Sequence, residues 1–174
     1  MLVTQWDKVG MTDKTLFTSQ TMPMSTGEWR LRLAQLCRDC AVAEGGEEAD
    51  YLRLALRLMA MAPEADRMIV ADHLPPEARF EALIAMGAYD SAAMTLLPEQ
   101  ASYLLSRSGA GACLASVLLP QVDEEMTSEA QSPALAVVSA LLACVVTMAG
   151  AQAGVAVVIE DEVEWQRPAG ARLH

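Results

Sequence analysis

A chain of 174 residues has room for one hydrophobic core. Acids outnumber bases 23 to 12, which argues against a nucleic-acid backbone as ligand. Apolar residues make up 53% of the chain and aromatics only 5%, so the core has to be built from Ala, Leu, Val and Met.

Residues 1–24 are polar, mixed and without periodicity, and read as a flexible arm with no apolar segment of the kind a signal peptide needs. Ser25-Thr26-Gly27-Glu28 has the spacing of a capping box, which opens a helix. Trp29, Leu33, Leu36 and Cys40 then share one face of that helix, and Gly45-Gly46 ends it. Glu47-Glu48 places negative charge at the start of the next helix, whose expected stripe is Tyr51, Leu54, Leu58 and Met61 before Pro63 stops it. Pro-Glu-Ala opens two further helical segments, Pro63 to Leu74 with Met68 and Ile69 inside, and Pro76 to Met86 with Phe80, Leu83 and Ile84 inside. Ser91 to Leu97 fits a short helix or a strand. Ala101 to Arg107 and Ala112 to Leu119 are β-like runs around Ser108-Gly109-Ala110-Gly111, a hairpin signal. Gln121 to Gln131 reads as an acidic loop.

Residues 130–159 carry no charge at all, in a protein of net charge −11. Ser132 can cap a helix here, Pro133 suits its first turn, and Gly150 is the expected stop. A helix apolar on every side is either buried or spans a membrane. Its length falls short of the ~20 apolar residues a span takes, and both flanks are acidic, so a buried helix at the centre of the fold is expected. Val155 to Trp165 follows as an alternating strand. Val155, Val157, Ile159, Val163 and Trp165 point one way, and Ala156, Val158, Glu160, Glu162 and Glu164 the other. The expected architecture is α+β: a helical region 25–87, then a sandwich-like unit 88–174 in which a buried apolar helix packs on a small antiparallel sheet that ends in an acidic strand.

The segment Ala88-Tyr89-Asp90-Ser91-Ala92-Ala93-Met94-Thr95-Leu96-Leu97-Pro98-Glu99, and Glu129-Ala130-Gln131-Ser132-Pro133-Ala134-Leu135-Ala136 followed by Leu141-Leu142-Ala143, resemble small phage and prophage proteins of the phage ABA-sandwich group. The resemblance covers about Tyr89 to Val146. The chain departs from the group in lacking tryptophans near Gln100 to Leu105, and it adds the N-terminal helical region and the C-terminal strand. The resemblance implies a phage or mobile-element origin and a layered α+β fold.

Few residues have the spacing that chemistry needs. Cys37-Arg38-Asp39-Cys40 is a CxxC, but it sits about three turns into a helix rather than at its N-terminus, and Cys40 belongs to the apolar stripe. Cys113, Cys144 and His73 are too scattered to supply a second pair for zinc. No phosphate-cradling glycine motif and no nucleophile elbow is present, since Gly109-Ala110-Gly111 is followed by a strand. No cofactor, metal or catalytic residue is expected, and four cysteines suit a reduced, cytoplasmic setting. Function is expected to lie in protein binding, with Glu160, Glu162 and Glu164 as the candidate row facing a basic host protein. A homo-oligomeric assembly component and a small-ligand binder are the alternatives. Met59, Met61, Met68, Met86 and Met94 are numerous enough for an adaptable binding surface, but each also fits a core position, which is the expected place.

Overall fold

The computed structural model describes residues 24–70 and 73–152. Helix α1 (Thr26–Val42) starts where Ser25 Oγ accepts the Glu28 N–H at 3.2 Å. Only that half of the capping box forms as the sequence suggests. The Glu28 carboxylate turns forward to Arg32 at 2.6 Å. The buried residues of α1 are Trp29, Leu33, Leu36 and Cys40, the expected stripe. Gly46, at φ +102°, makes the turn into α2 (Glu48–Ala60), where the Glu47 and Glu48 carboxylates accept the Glu44 and Gly46 N–H groups. Trp29 locks the pair of helices, its indole Nε1 donating to the Leu58 carbonyl at 2.7 Å.

The buried face of α2 is Leu52, Ala55, Leu56, Leu58 and Met59, a correction by about one residue to the stripe through Tyr51, Leu54 and Met61. Ala55 in α2 and Ala62 just after it are both buried, and small side chains carry no weight in a count of bulky ones. Of the segment from Pro63, only α3 (Arg67–Val70) is α-helical. Ile69 is buried there, but Met68 is 90% exposed, contrary to its expected core position, and Met86 is exposed as well. Helix α4 (Glu77–Ala85) buries Phe80 and Ile84 and ends in a Schellman turn: Gly87, at φ +69°, lets the Ala88 N–H reach the Leu83 carbonyl at 2.9 Å. Helix α5 (Tyr89–Met94) settles the first half of the ambiguous Ser91 to Leu97 stretch as helical, and Thr95 to Leu97 form a turn after it.

Strands β1 (Ser102–Arg107), β2 (Cys113–Leu118) and β3 (Met126–Ala130) form an antiparallel sheet in the order β1-β2-β3. Gly111, at φ +96°, shapes the β1–β2 hairpin, and the Ser108 N–H donates to the Ala112 carbonyl at 2.8 Å. Strand β3 lies inside what the sequence presents as an acidic loop. Its Met-Thr-Ser-Glu-Ala run is short and mostly polar, and pairing with β2 rather than propensity makes it a strand.

Helix α6 (Pro133–Gln152) follows, with the Leu135 N–H directed at Ser132 Oγ at 3.4 Å. It runs through Gly150, the expected stop. That glycine is buried, and tertiary packing outweighs its helix penalty of about 1 kcal/mol. One side of α6 packs on β2 and β3, and α1, α2 and α5 close over the rest. The helical half and the sheet half therefore share one hydrophobic cluster. Pro133–Ala151 is long and apolar enough to cross a membrane, yet 83% of that window is buried inside the protein. The architecture is thus α+β, a helical N-terminal half followed by a small antiparallel sheet with an apolar helix packed on it. The arm 1–23 and the strand expected at Val155 to Trp165, with Glu160, Glu162 and Glu164, lie outside the described residues.

Leu142 is fully buried in α6. Leu142→Ala should cost about 2–5 kcal/mol of stability. Leu142→Asp, which strands a charge in the same space, should leave no cooperative transition in a thermal melt followed by circular dichroism.

Candidate protein-interaction surface

Side chains alternate across a strand, so the register divides the sheet into two faces. Tyr103, Leu105 and Arg107 stand opposite Val117, Ala115 and Cys113, which in turn face Met126, Ser128 and Ala130. This is the face that α6 covers: Ser128 Oγ donates to Ser139 Oγ at 2.7 Å, and Cys144 Sγ donates to the Val117 carbonyl at 3.4 Å. The opposite face carries Leu104, Leu114 and Leu118 from β1 and β2, with Ser116, Thr127 and Glu129 beside them. Ser116 and Thr127 pair through their hydroxyls at 2.8 Å. Leu104 is 61% exposed and Leu114 36%, so this second face is open to water at those two leucines, while Leu118 is half-buried and Ser116 buried.

Strand β1 is exposed along its whole length, on both faces. Tyr103 (54%) and Leu105 (39%) point to the helix side yet remain uncovered, because α6 lies over β2 and β3. An exposed apolar strand at a sheet edge is an invitation to pair or dock. The sequence announces β1 as a hairpin strand but not as an open surface. The readable signal is the consecutive Leu104-Leu105, which puts an apolar side chain on each face, where a half-buried strand would alternate with polar residues.

The other candidates are absorbed by structure. All four cysteines are free thiols. Cys37 belongs to a polar node that joins α1, α6 and β3: its Sγ donates to the Ser139 carbonyl at 3.3 Å, and Ser139 Oγ donates back to the Cys37 carbonyl at 2.9 Å. Cys40 lies in the core, where burial first, then Cys37 and Asp39, pushes its thiol up to about 12. Burial likewise raises Cys144 to about 11. Neither thiol supplies a thiolate near neutral pH, which is the opposite of what a redox pair needs. Arg30 reaches the buried carboxylate of Asp66 at 3.2 Å and ties α1 to the start of α3. A cavity of about 180 Å³ lies beside Arg53, Leu56, Leu74, Pro75 and Glu77. Its polar wall is occupied by the forked Arg53–Glu81 pair, with contacts of 2.8–3.1 Å. That pair lowers the Glu81 carboxyl and raises the Arg53 guanidinium through their shared hydrogen bonds. Among the described residues no three His, Cys, Asp or Glu side chains gather as metal ligands.

The folded chain keeps the Cys40 proton that an unfolded chain releases above its ordinary value of 9.0. The stability this provides is complete below about pH 9 and is lost as pH rises toward 12, with a slope near 1.4 kcal/mol per pH unit for one proton. Denaturant titrations across that range should therefore show Cys40→Ala losing stability less steeply with pH than the parent, whatever its starting stability.

No protein-family model, no curated protein and no solved structure matches this chain.

Proposed function

We propose that this chain is a non-enzymatic phage or mobile-element accessory protein that works in the host cytoplasm by binding a host protein, as an inhibitor of a defence system. The observation that carries the reading is the open leucine face of the sheet. On one face α6 covers β2 and β3, while the other presents Leu104 and Leu114 to solvent, with Thr127 and Glu129 exposed on β3 and Ser116 buried on the central strand. Exposed leucines bordered on one side by polar residues suit a docking surface. The partner it suits brings an apolar anchor with basic residues around it, because the chain is strongly acidic. The row Glu160, Glu162 and Glu164 supplies further negative charge for such a partner. The resemblance of Tyr89 to Val146 to phage ABA-sandwich proteins supports the origin assigned here.

Two variant sets test the reading against wild type in quantitative capture from a host lysate. Leu104→Lys with Leu114→Lys should weaken capture of the partner about tenfold or more. As surface substitutions they should change stability by only about 0.5 kcal/mol each. Glu160→Lys, Glu162→Lys and Glu164→Lys together should slow association and remove its salt dependence. Capture that is unchanged in both sets would refute the interface.

A further inference from the structure

We propose that the outer edge of β1, to which no described strand is bonded, pairs with the same edge of a second copy of this chain. The two strands run antiparallel about a two-fold axis at Leu105 and join the two three-stranded sheets into one. The pairing uses the edge and leaves Leu104 and Leu114 on the leucine face, so it stands apart from the partner reading.

The edge is unguarded. Soluble proteins blunt a sheet edge with proline, charge, a bulge or a covering element. Strand β3, the other edge, follows that rule: it is mostly polar, carries Glu129 and has α1 beside it. Strand β1 does not. It pairs with β2 without a bulge along its whole length, contains no proline, lysine or acid, and is exposed throughout. Its single charge, Arg107, is the last residue of the strand. Residues 101–122 contain no acid at all, although the chain carries a net charge of −11. Two copies therefore meet here without the repulsion that acidic surfaces impose on each other.

The hydrogen bonds set the register. The Ser108 N–H to Ala112 carbonyl bond fixes the alternation of the hairpin. Carried along β1, Ser102, Leu104 and Ser106 direct their N–H and C=O groups at β2, while Tyr103, Leu105 and Arg107 direct theirs outward. When two identical edges pair antiparallel, outward residues face outward residues. With the axis at Leu105, that residue faces its own counterpart, and Tyr103 of each copy faces Arg107 of the other. Every outward residue of β1 then exchanges a pair of backbone hydrogen bonds. Moving the axis to Leu104 would set Arg107 against Ala101, whose N–H already donates to the Pro98 carbonyl at 3.0 Å. Moving it to Ser106 would set Tyr103 against Gly109 in the hairpin turn. The Leu105 register is the one that uses the edge in full.

The same register matches the side chains. Tyr103, Leu105 and Arg107 share the helix side of the sheet, where α6 leaves Tyr103 and Leu105 uncovered. The axis runs normal to the sheet, so both α6 helices lie on that side, with the two edge strands between them. The Leu105 pair sits at the centre, flanked at each end by a Tyr103 ring beside an Arg107 guanidinium. Facing residues have Cβ atoms about 4.5–5.5 Å apart, which brings the cation within reach of the ring. Arg107 is already steadied next to the edge, its Nε donating to the Gly111 carbonyl at 3.2 Å. The apolar side chains that one copy leaves wet are thus covered by their counterparts. A six-residue edge buries less than the ~1,600 Å² of a standard interface, so the pairing reverses on dilution.

The test uses the full wild-type chain over a range of concentrations. Sedimentation should show the mass rising from one copy toward two. The amides of Tyr103, Leu105 and Arg107 should exchange about tenfold slower once about nine-tenths of the chain is dimeric. In a mixture of isotope-labelled and unlabelled chains, intermolecular nuclear Overhauser contacts are expected between the Tyr103 ring and the Arg107 side chain. Leu105→Pro removes the outward N–H at the axis from an edge strand, so it should keep the monomer folded and abolish the dimer mass. Leu105→Lys, which sets two like charges face to face, should do the same and serves where the proline variant fails to fold. A monomer mass up to about 1 mM would overturn the proposal. So would a dimer in which the Tyr103, Leu105 and Arg107 amides exchange as fast as in the monomer, since its interface would lie elsewhere. Protection of those amides in a monomer at every concentration would assign the edge to the same chain and overturn it as well.

Discussion

The burial of α6 is the constraint on which the rest of the molecule depends. Twenty residues with no acid or base among them have no wet side to offer, so other elements must surround the helix. Each fully buried Leu or Val contributes about 1.5–3 kcal/mol, and α6 buries Leu135, Val137, Val138, Leu141, Leu142 and Val145. The sheet can cover only one side of a helix, which is why the chain also brings α1, α2 and α5 to the other. Ser139, a polar side chain buried in α6, would be costly if left unmatched. It is matched twice, by the Cys37 carbonyl and by Ser128, and this fixes the axial position of α6 against both layers.

Charge is handled by exclusion. The described acidic and basic groups lie mostly at the surface; the buried acids are Glu48, which accepts the Gly46 N–H, and Asp66, which is held in the Arg30–Asp66 pair. In that pair Arg30 Nε and Asp66 Oδ2 have no hydrogen-bond partner among the described residues, so it is a link whose geometry is only half satisfied. Breaking such a pair by removing one member costs more than the pair contributes, because the other charge stays behind.

What was legible in the sequence was whatever depended on local grammar or on a long apolar pattern. The cap at Ser25, the stripe from Trp29 to Cys40, the β1–β2 hairpin around Gly111 and the buried character of α6 are of this kind. What was hidden depended on partners distant in the chain. Strand β3 carries no strand signature and exists because β2 offers it a ladder. The buried face of α2 includes Ala55, a small residue that a search for bulky stripes passes over. Met68 and Met86 look like core residues by type alone, and only their position on the finished surface shows otherwise. The leucine face was concealed for the same reason, since Leu104 and Leu114 read as ordinary strand residues until one knows which layer is missing above them.

The node between Cys37 and Ser139 joins residues 102 positions apart. The N-terminal helices thus wait for a partner made long after them: α1 and α2 can close on each other during synthesis, but the sides they turn to α6 have no cover until that helix emerges. Contacts of such long range make folding slow and leave intermediates open to aggregation. A nascent chain interrupted anywhere before Pro133 would leave the α6-facing sides of α1 and α2 open to chaperones and proteases. Quality control can therefore recognise an unfinished copy of this protein by the absence of a single helix.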